Sequence, residues 1–244
     1  MTIDLERRTF VQSGALLAAG AALAAGSAAT DPAAAQSPSA PSSGAKPFSY
    51  TVKPMSLDPK KIKGLSEKIL TSHYENNYSG AVKRLNAITE QLSGLDYTKA
   101  PGFLINGLKR EELIAANSMI LHELYFAGLG EESRPGPALA DAITLDFGSV
   151  DRWRAEFAAI GKAEGGGSGW VLLTWNPHDK RLINAWAADH TTTLAGGQPI
   201  LALDMYEHAY HMDYGAKAGD YVDAFMQAIR WTNADSLFEH YSRA

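Results

Sequence analysis

Two stretches of this chain repeat apolar residues at helical spacing, and each carries a histidine on its apolar face. From Ser66 to Leu92, the residues Ile69, His73, Asn77, Ala81, Leu85, Ile88 and Leu92 follow at steps of three or four, which sets them on one side of a helix. Gly94 and Pro101-Gly102 then interrupt the chain. A second run, from about Arg110 to Leu129, aligns Ala115, Ser118, His122, Tyr125 and Leu129 along one stripe. Two antiparallel helices that bury these stripes would each point a histidine inward.

The later chain has a different texture. Ala138 to Phe147 and Val150 to Glu164 read as short helices, the second with Ser149 as its cap. Strands are predicted at Trp170 to Trp175 and Leu182 to Ala187, flanking a hairpin connection over residues 176–180, and at Ile200 to Met205. A closing helix is expected from about Tyr221 to Phe238. Helices first and a small antiparallel sheet later give the fold class α+β. The expected division is an amino-terminal α-helical hairpin domain over 57–133, followed by an α/β domain over 134–244 with a three-stranded antiparallel sheet.

The amino end has a separate purpose. Glu6-Arg7-Arg8-Thr9-Phe10-Val11 precedes an Ala/Gly/Leu stretch and then Ala33-Ala34-Ala35, the order of a signal peptide. Its paired arginines resemble the twin-arginine type, an address read by a translocase. An uncleaved anchor is the alternative, since a stretch of about 20 apolar residues can span a bilayer. Residues 1–35 are therefore expected to direct export to the periplasm or beyond, with cleavage before Gln36 and no stable membrane association afterwards. Residues 36–56 are expected to be a flexible linker, because the Ser/Pro/Ala/Gly-rich start of that segment offers too little apolar surface to order itself.

An exported chain usually has access to disulfides, but this one contains no cysteine. Its core must provide the stability, and thiolate metal sites and cysteine nucleophiles are excluded. Imidazole and carboxylate remain as ligands. A formal net charge of -5 gives no basic footprint, so nucleic acid is not an expected partner.

The remaining chemistry centres on Asp204-Met205-Tyr206-Glu207-His208-Ala209-Tyr210. A carboxylate and an imidazole four residues apart can clasp a metal, either on one helical face or where a strand turns into a helix. A capping pair has the same spacing. Taken singly, His73 and His122 also fit hydrogen-bonded core histidines, since a buried imidazole needs a partner. Convergence of all four groups would instead suit a redox metal held by three neutral imidazoles and one carboxylate.

At these residues the chain resembles the iron/manganese superoxide dismutases, over essentially everything after the linker. Asp204 to Tyr210 is similar to that family's D-x-W-E-H-A-Y, with Tyr206 in place of Trp. His73-Tyr74, Phe147-Gly148-Ser149 and Gly167-Ser168-Gly169-Trp170 fall in the family's order and spacing, and His122 with Leu124, Tyr125 and Phe126 resembles its second ligand region. The resemblance implies one iron or manganese ion per chain, held by His73, His122, Asp204 and His208. It implies conversion of superoxide to dioxygen and hydrogen peroxide. It also implies a homodimer, in which Glu207 reaches the metal-binding histidine of the opposite chain.

Several departures surround that centre. The family's Asn-Gln after the second strand corresponds to Asp189-His190, and its alternative Gln position to Ser118, so His190 is the candidate outer-shell catalytic residue. The gateway Tyr corresponds to Ala81, and a nearby His to Asn77. His211 replaces the Tyr that meets that His across the dimer, which suggests that Asn77 and His211 exchange one polar pair for another. The anion-guiding Arg is missing from Gly215-Ala216-Lys217-Ala218, leaving Lys217 as its nearest substitute. These losses keep open an alternative, an exported iron- or manganese-binding protein of the same fold with little dismutase activity, serving metal storage, sensing or partner binding.

Overall fold

A computed structural model of the chain describes residues 46–164 and 167–243. The expected export signal and residues 36–45 of the expected linker lie outside the described residues. The rest of that linker does not run free. Asn86 on the first helix pair accepts the Tyr50 amide at 2.7 Å and donates to the Tyr50 carbonyl at 2.9 Å, imitating a strand partner. Three further bonds hold residues 53–56: the Tyr78 hydroxyl accepts the Lys53 amide, the Tyr74 hydroxyl donates to the Lys53 carbonyl, and the Ser56 hydroxyl donates to the Phe126 carbonyl. Helix side chains supply all of these contacts but the last, which Ser56 makes to a helix carbonyl, and apolar composition does not reveal them.

The first helical run is α1 (Glu67–Ser72), a π-helical segment His73–Tyr78 and α2 (Ser79–Ser93). Ser66 caps it by accepting the Ile69 amide at 3.1 Å, satisfying one donor that a helix start leaves free. Helix α3 (Gly102–Gly128) returns beside it and starts well before the expected Arg110. Its first turns have no buried face: Phe103 is 81% exposed. Apolar periodicity could not mark a segment that buries nothing.

Helix α4 (Pro137–Phe147) turns through Gly148, whose φ of 91° suits glycine, into α5 (Val150–Ala163). The expected cap is present, with Ser149 accepting the Arg152 amide at 3.0 Å. The sheet is antiparallel in the order β2-β1-β3, built from β1 (Trp170–Asn176), β2 (Arg181–Ala187) and β3 (Gln198–Asp204). Pro199 sits on an outer strand, where its missing N–H removes no ladder bond from a central position. Trp170 lies opposite both Ala187 and Asp204, so one end of the sheet gathers the start of β1 and the ends of its two neighbours.

After β3 come a 3-10 turn at Glu207–Ala209, α6 (His211–Tyr214), α7 (Ala218–Gln227) and α8 (Thr232–Ser242). The single closing helix expected over 221–238 is thus two helices. Between them the chain leaves the helix to bridge Leu129 with Ile229, while Gly130 donates to the Ala228 carbonyl and Arg230 to the Gly128 carbonyl. Those bonds hold the end of α3 against the connection between α7 and α8. Trp153, Trp170, Trp231, Phe157, Tyr221 and Phe225 are fully buried, each large side chain giving about 1.5–3 kcal/mol from lost water contact. Among the described residues no helix is long and apolar enough to cross a membrane.

Candidate metal centre

The four predicted groups meet. One ligating atom from each of His73, His122, Asp204 and His208 lies within 4.8 Å of the others. Asp204 Oδ2 is 3.1 Å from His73 Nε2, 3.2 Å from His208 Nε2 and 3.6 Å from His122 Nε2. His73 comes from the π segment, His122 from α3, Asp204 from the end of β3 and His208 from the following turn. A helix pair and a sheet end are both needed to assemble the set.

His122 and Asp204 are aimed by neighbours outside the set, whereas the buried His73 Nδ1 has no hydrogen-bond partner. His122 Nδ1 donates to the Ser118 carbonyl at 2.6 Å, so its Nε2 presents a lone pair to the centre. Asp204 uses Oδ1 to accept the Tyr206 amide at 2.8 Å, and its own carbonyl accepts the Tyr221 hydroxyl at 2.7 Å. That leaves Oδ2 for the centre. Met205 donates to the Gly169 carbonyl at 2.9 Å, fixing the strand just after the carboxylate.

The charges suit a cation. Burial pushes the His122 imidazole down to about 3, with His73 adding to the effect, and burial likewise lowers His73 against the opposing pull of Asp204. Burial alone would raise the Asp204 carboxyl, but His208 and His73 outweigh it and hold the group well below the usual carboxylate range. At neutral pH the interior therefore offers an ionised carboxylate beside neutral imidazoles. His122 Nε2 and His208 Nε2 face each other at 3.4 Å, an arrangement that a shared cation satisfies better than two lone pairs do. The donor set, three imidazoles and one carboxylate, fits one first-row transition-metal cation such as iron or manganese.

His190 lies beside this set. Trp170 Nε1 donates to its Nδ1 at 3.0 Å, which puts the proton of the neutral ring on Nε2. The ring stacks on Tyr206 with centroids 4.7 Å apart and lies 6.1 Å from the ring of His122. Burial lowers its pKa. Asn77 and Ala81 line a cavity of 280 Å³ that His190 and Ser118 also border. Glu207 and His211 are exposed, and Lys217 lies on the surface away from that lining.

Two charged groups here escaped the sequence reading. Arg84 borders the same cavity and pairs with Glu111. Glu164, just past α5, is only 6% exposed and neither carboxyl oxygen has a hydrogen-bond partner. Burial pushes it up to about 8, against a weaker pull from the nearby Trp170 amide. It fills the space over Gly169, where a Cβ would lie 1.8 Å from Glu164 Oε1. Acidic side chains usually sit in solvent, and nothing in the local sequence singles this one out.

Comparison with known proteins agrees with this geometry. The family described as iron/manganese superoxide dismutases, C-terminal domain, matches residues 135–237. A superoxide dismutase [Fe] of Cupriavidus metallidurans is 66% identical over 189 residues, covering 78% of this chain and 96% of that protein. Superoxide dismutase [Mn] 1 of Halobacterium salinarum is 35% identical over 200 residues, covering 78% of this chain and 95% of its own length. A superoxide dismutase [Fe] of Aquifex pyrophilus is 33% identical over 196 residues, covering 77% and 91%.

Proposed function

The chain belongs to the iron/manganese superoxide dismutase family, and from that premise we propose that His73, His122, Asp204 and His208 hold its iron or manganese ion. The protein is a superoxide dismutase, using iron or manganese to turn superoxide into dioxygen and hydrogen peroxide. The observation that carries the ligand assignment is the convergence of three imidazole nitrogens on Asp204 Oδ2 in a buried site. When bound, the metal supplies alternating one-electron oxidation and reduction.

The protein's own part is orientation and proton delivery. Ser118 keeps His122 in one tautomer, and Tyr206, through its amide, keeps Asp204 turned toward the centre. His190 is the proposed outer-shell catalytic residue. Held by Trp170 and stacked on Tyr206, it keeps an N–H on Nε2, the donor that the family's Gln side chain would otherwise offer. Protein of known metal content should consume superoxide in proportion to bound metal. His190→Ala should lower turnover per metal with the metal retained, and His190→Gln should be milder. Unchanged turnover in His190→Ala would remove His190 from the reaction.

Assembly and location belong to the same proposal. A homodimer brings Glu207 to the partner's His208, and Asn77 to the partner's His211; Glu207 and His211 are exposed, which leaves them available for such contacts. Light scattering on wild type and Glu207→Ala tests it, a wild-type monomer being the negative result. Residues 1–35 act as a twin-arginine signal that delivers the folded, metal-loaded protein to the periplasm or beyond. A mature protein outside the cytoplasm that still carries residues 1–35 would reject that assignment.

A further inference from the structure

The two helices that hold His73 and His122 also hold an ion pair the same distance away. His73 and Arg84 are eleven residues apart on the first run, and Glu111 and His122 are eleven apart on α3. Because the helices are antiparallel, the Arg84–Glu111 pair sits above the two histidines, at about 16 Å by helical rise. Between these levels the first run presents Asn76, Asn77, Gly80 and Ala81, and α3 presents Ile114, Ala115 and Ser118. Small side chains on facing helices leave a passage, and that passage is the 280 Å³ cavity with Arg84 on its wall and His190 and Ser118 at its inner end.

We propose that Arg84 is the residue that draws superoxide into this passage, with Glu111 holding its guanidinium at the mouth and moderating its charge. This takes the dismutase reading as its basis and assigns a role to a different element from the one carrying Lys217. Among the described residues that line the cavity, Arg84 is the only Lys or Arg. Its side chain is 55% exposed and that of Glu111 32%, so the charge faces water at an entrance and is not sealed in the core. Arg110 lies 3.8 Å from Glu111 and adds positive charge nearby, while Asp189 stands on the loop before His190. The whole chain carries a formal -5, which repels an anion at long range. Local positive charge at a low-dielectric cleft can reverse that repulsion over the last part of the approach.

The test compares wild type, Arg84→Gln, Arg84→Lys and Glu111→Gln at equal metal content, measuring kcat/KM for superoxide against ionic strength. Near 0.01 M salt, where screening acts only beyond about 30 Å, Arg84→Gln should lower kcat/KM about threefold and Glu111→Gln should raise it about twofold. Arg84→Lys should restore most of the rate. The differences should vanish near 1 M, where the screening length falls to about 3 Å. A second readout is azide affinity, followed by the visible absorption of the metal, which should weaken about threefold in Arg84→Gln. An Arg84→Gln protein with wild-type kcat/KM and azide affinity overturns the proposal. So does a rate loss that salt does not remove, or a Glu111→Gln loss equal to that of Arg84→Gln, since either marks a structural pair. Metal-loaded wild type that consumes no superoxide would refute the dismutase reading instead, and azide binding would still decide the role of Arg84.

Discussion

The two ends of one helix pair obey different rules. At the inner end His73 and His122 are each 1% exposed, and their surroundings are fixed by hydrogen bonds from the π segment, α3 and the end of β3. At the outer end Arg84 and Glu111 are partly in water, and Gly80, Ala81, Ala115 and Ser118 leave space in the wall between the levels, which Asn76, Asn77 and Ile114 complete. A change at the inner end leaves a buried charge or lone pair without a partner, which is costly. A change at the outer end alters space and field while the core stays packed. The departures from the family fall on both kinds of position: Ala81 and Asn77 line the passage, Ser118, His190 and Tyr206 stand beside the centre, and the four proposed ligands alone keep the family's residue types.

The largest effect that could break this contrast is at the ligand set. Asp204→Ala should weaken metal binding by more than about 100-fold, exceeding what loss of an outer-sphere partner costs. Metal analysis after dialysis measures it, and full occupancy in the variant would deny that the inner end is the intolerant one. Next comes the support behind it. Gly169→Ala adds a Cβ 1.8 Å from Glu164 Oε1, at a backbone φ of 137° that side chains avoid. A loss of about 3 kcal/mol in urea unfolding is expected from the clash and the strained backbone. Adding Glu164→Ala to it should recover the part due to the clash and leave the backbone part.

Glu164 also makes a pH prediction of smaller size. Its carboxyl is raised to about 8 in the folded protein, while an unfolded glutamate titrates near 4.3. The folded state therefore binds the extra proton between those values, and stability falls as pH rises through that window. Below about 4.3 both states are protonated and above about 8 both are ionised, so the dependence flattens at each end. Glu164→Gln should remove this slope, gaining roughly 2 kcal/mol over wild type at pH 8 and little at pH 4.5. An equal gain at both values would mean that packing, not ionisation, makes Glu164 unfavourable.

Legibility in the sequence followed the same divide. His73 and His122 could be found because burial imposes a helical period on their neighbours, and Asp204 and His208 because the motif around them is local. The start of α3 and the break at residues 228–231 were not legible. The first buries no face, and the second is made by bonds to residues 128 and 130, far away in the chain. Arg84 and Glu164 were missed for opposite reasons that look alike in sequence. Both read as solvated charges, and only the placement of other elements makes one the wall of a passage and the other a buried acid.

The smallest predicted effect sharpens the comparison most, because it separates local field from total charge. Lys217→Gln removes one positive charge, as Arg84→Gln does, so both variants change the net charge of the chain from -5 to -6. If superoxide responded mainly to net charge, the two would slow equally. Lys217 is exposed at the start of α7 and does not border the cavity, whereas Arg84 does. Its charge is spread into water, where a screening length of about 8 Å at physiological salt hides it from the passage. Lys217→Gln should therefore change kcat/KM by less than about 1.3-fold at that ionic strength, with only a slight fall at low salt. A loss matching that of Arg84→Gln at both salt levels would show that the passage reads the protein's overall charge, and the outer end of the helix pair would lose its claim to a distinct electrostatic role.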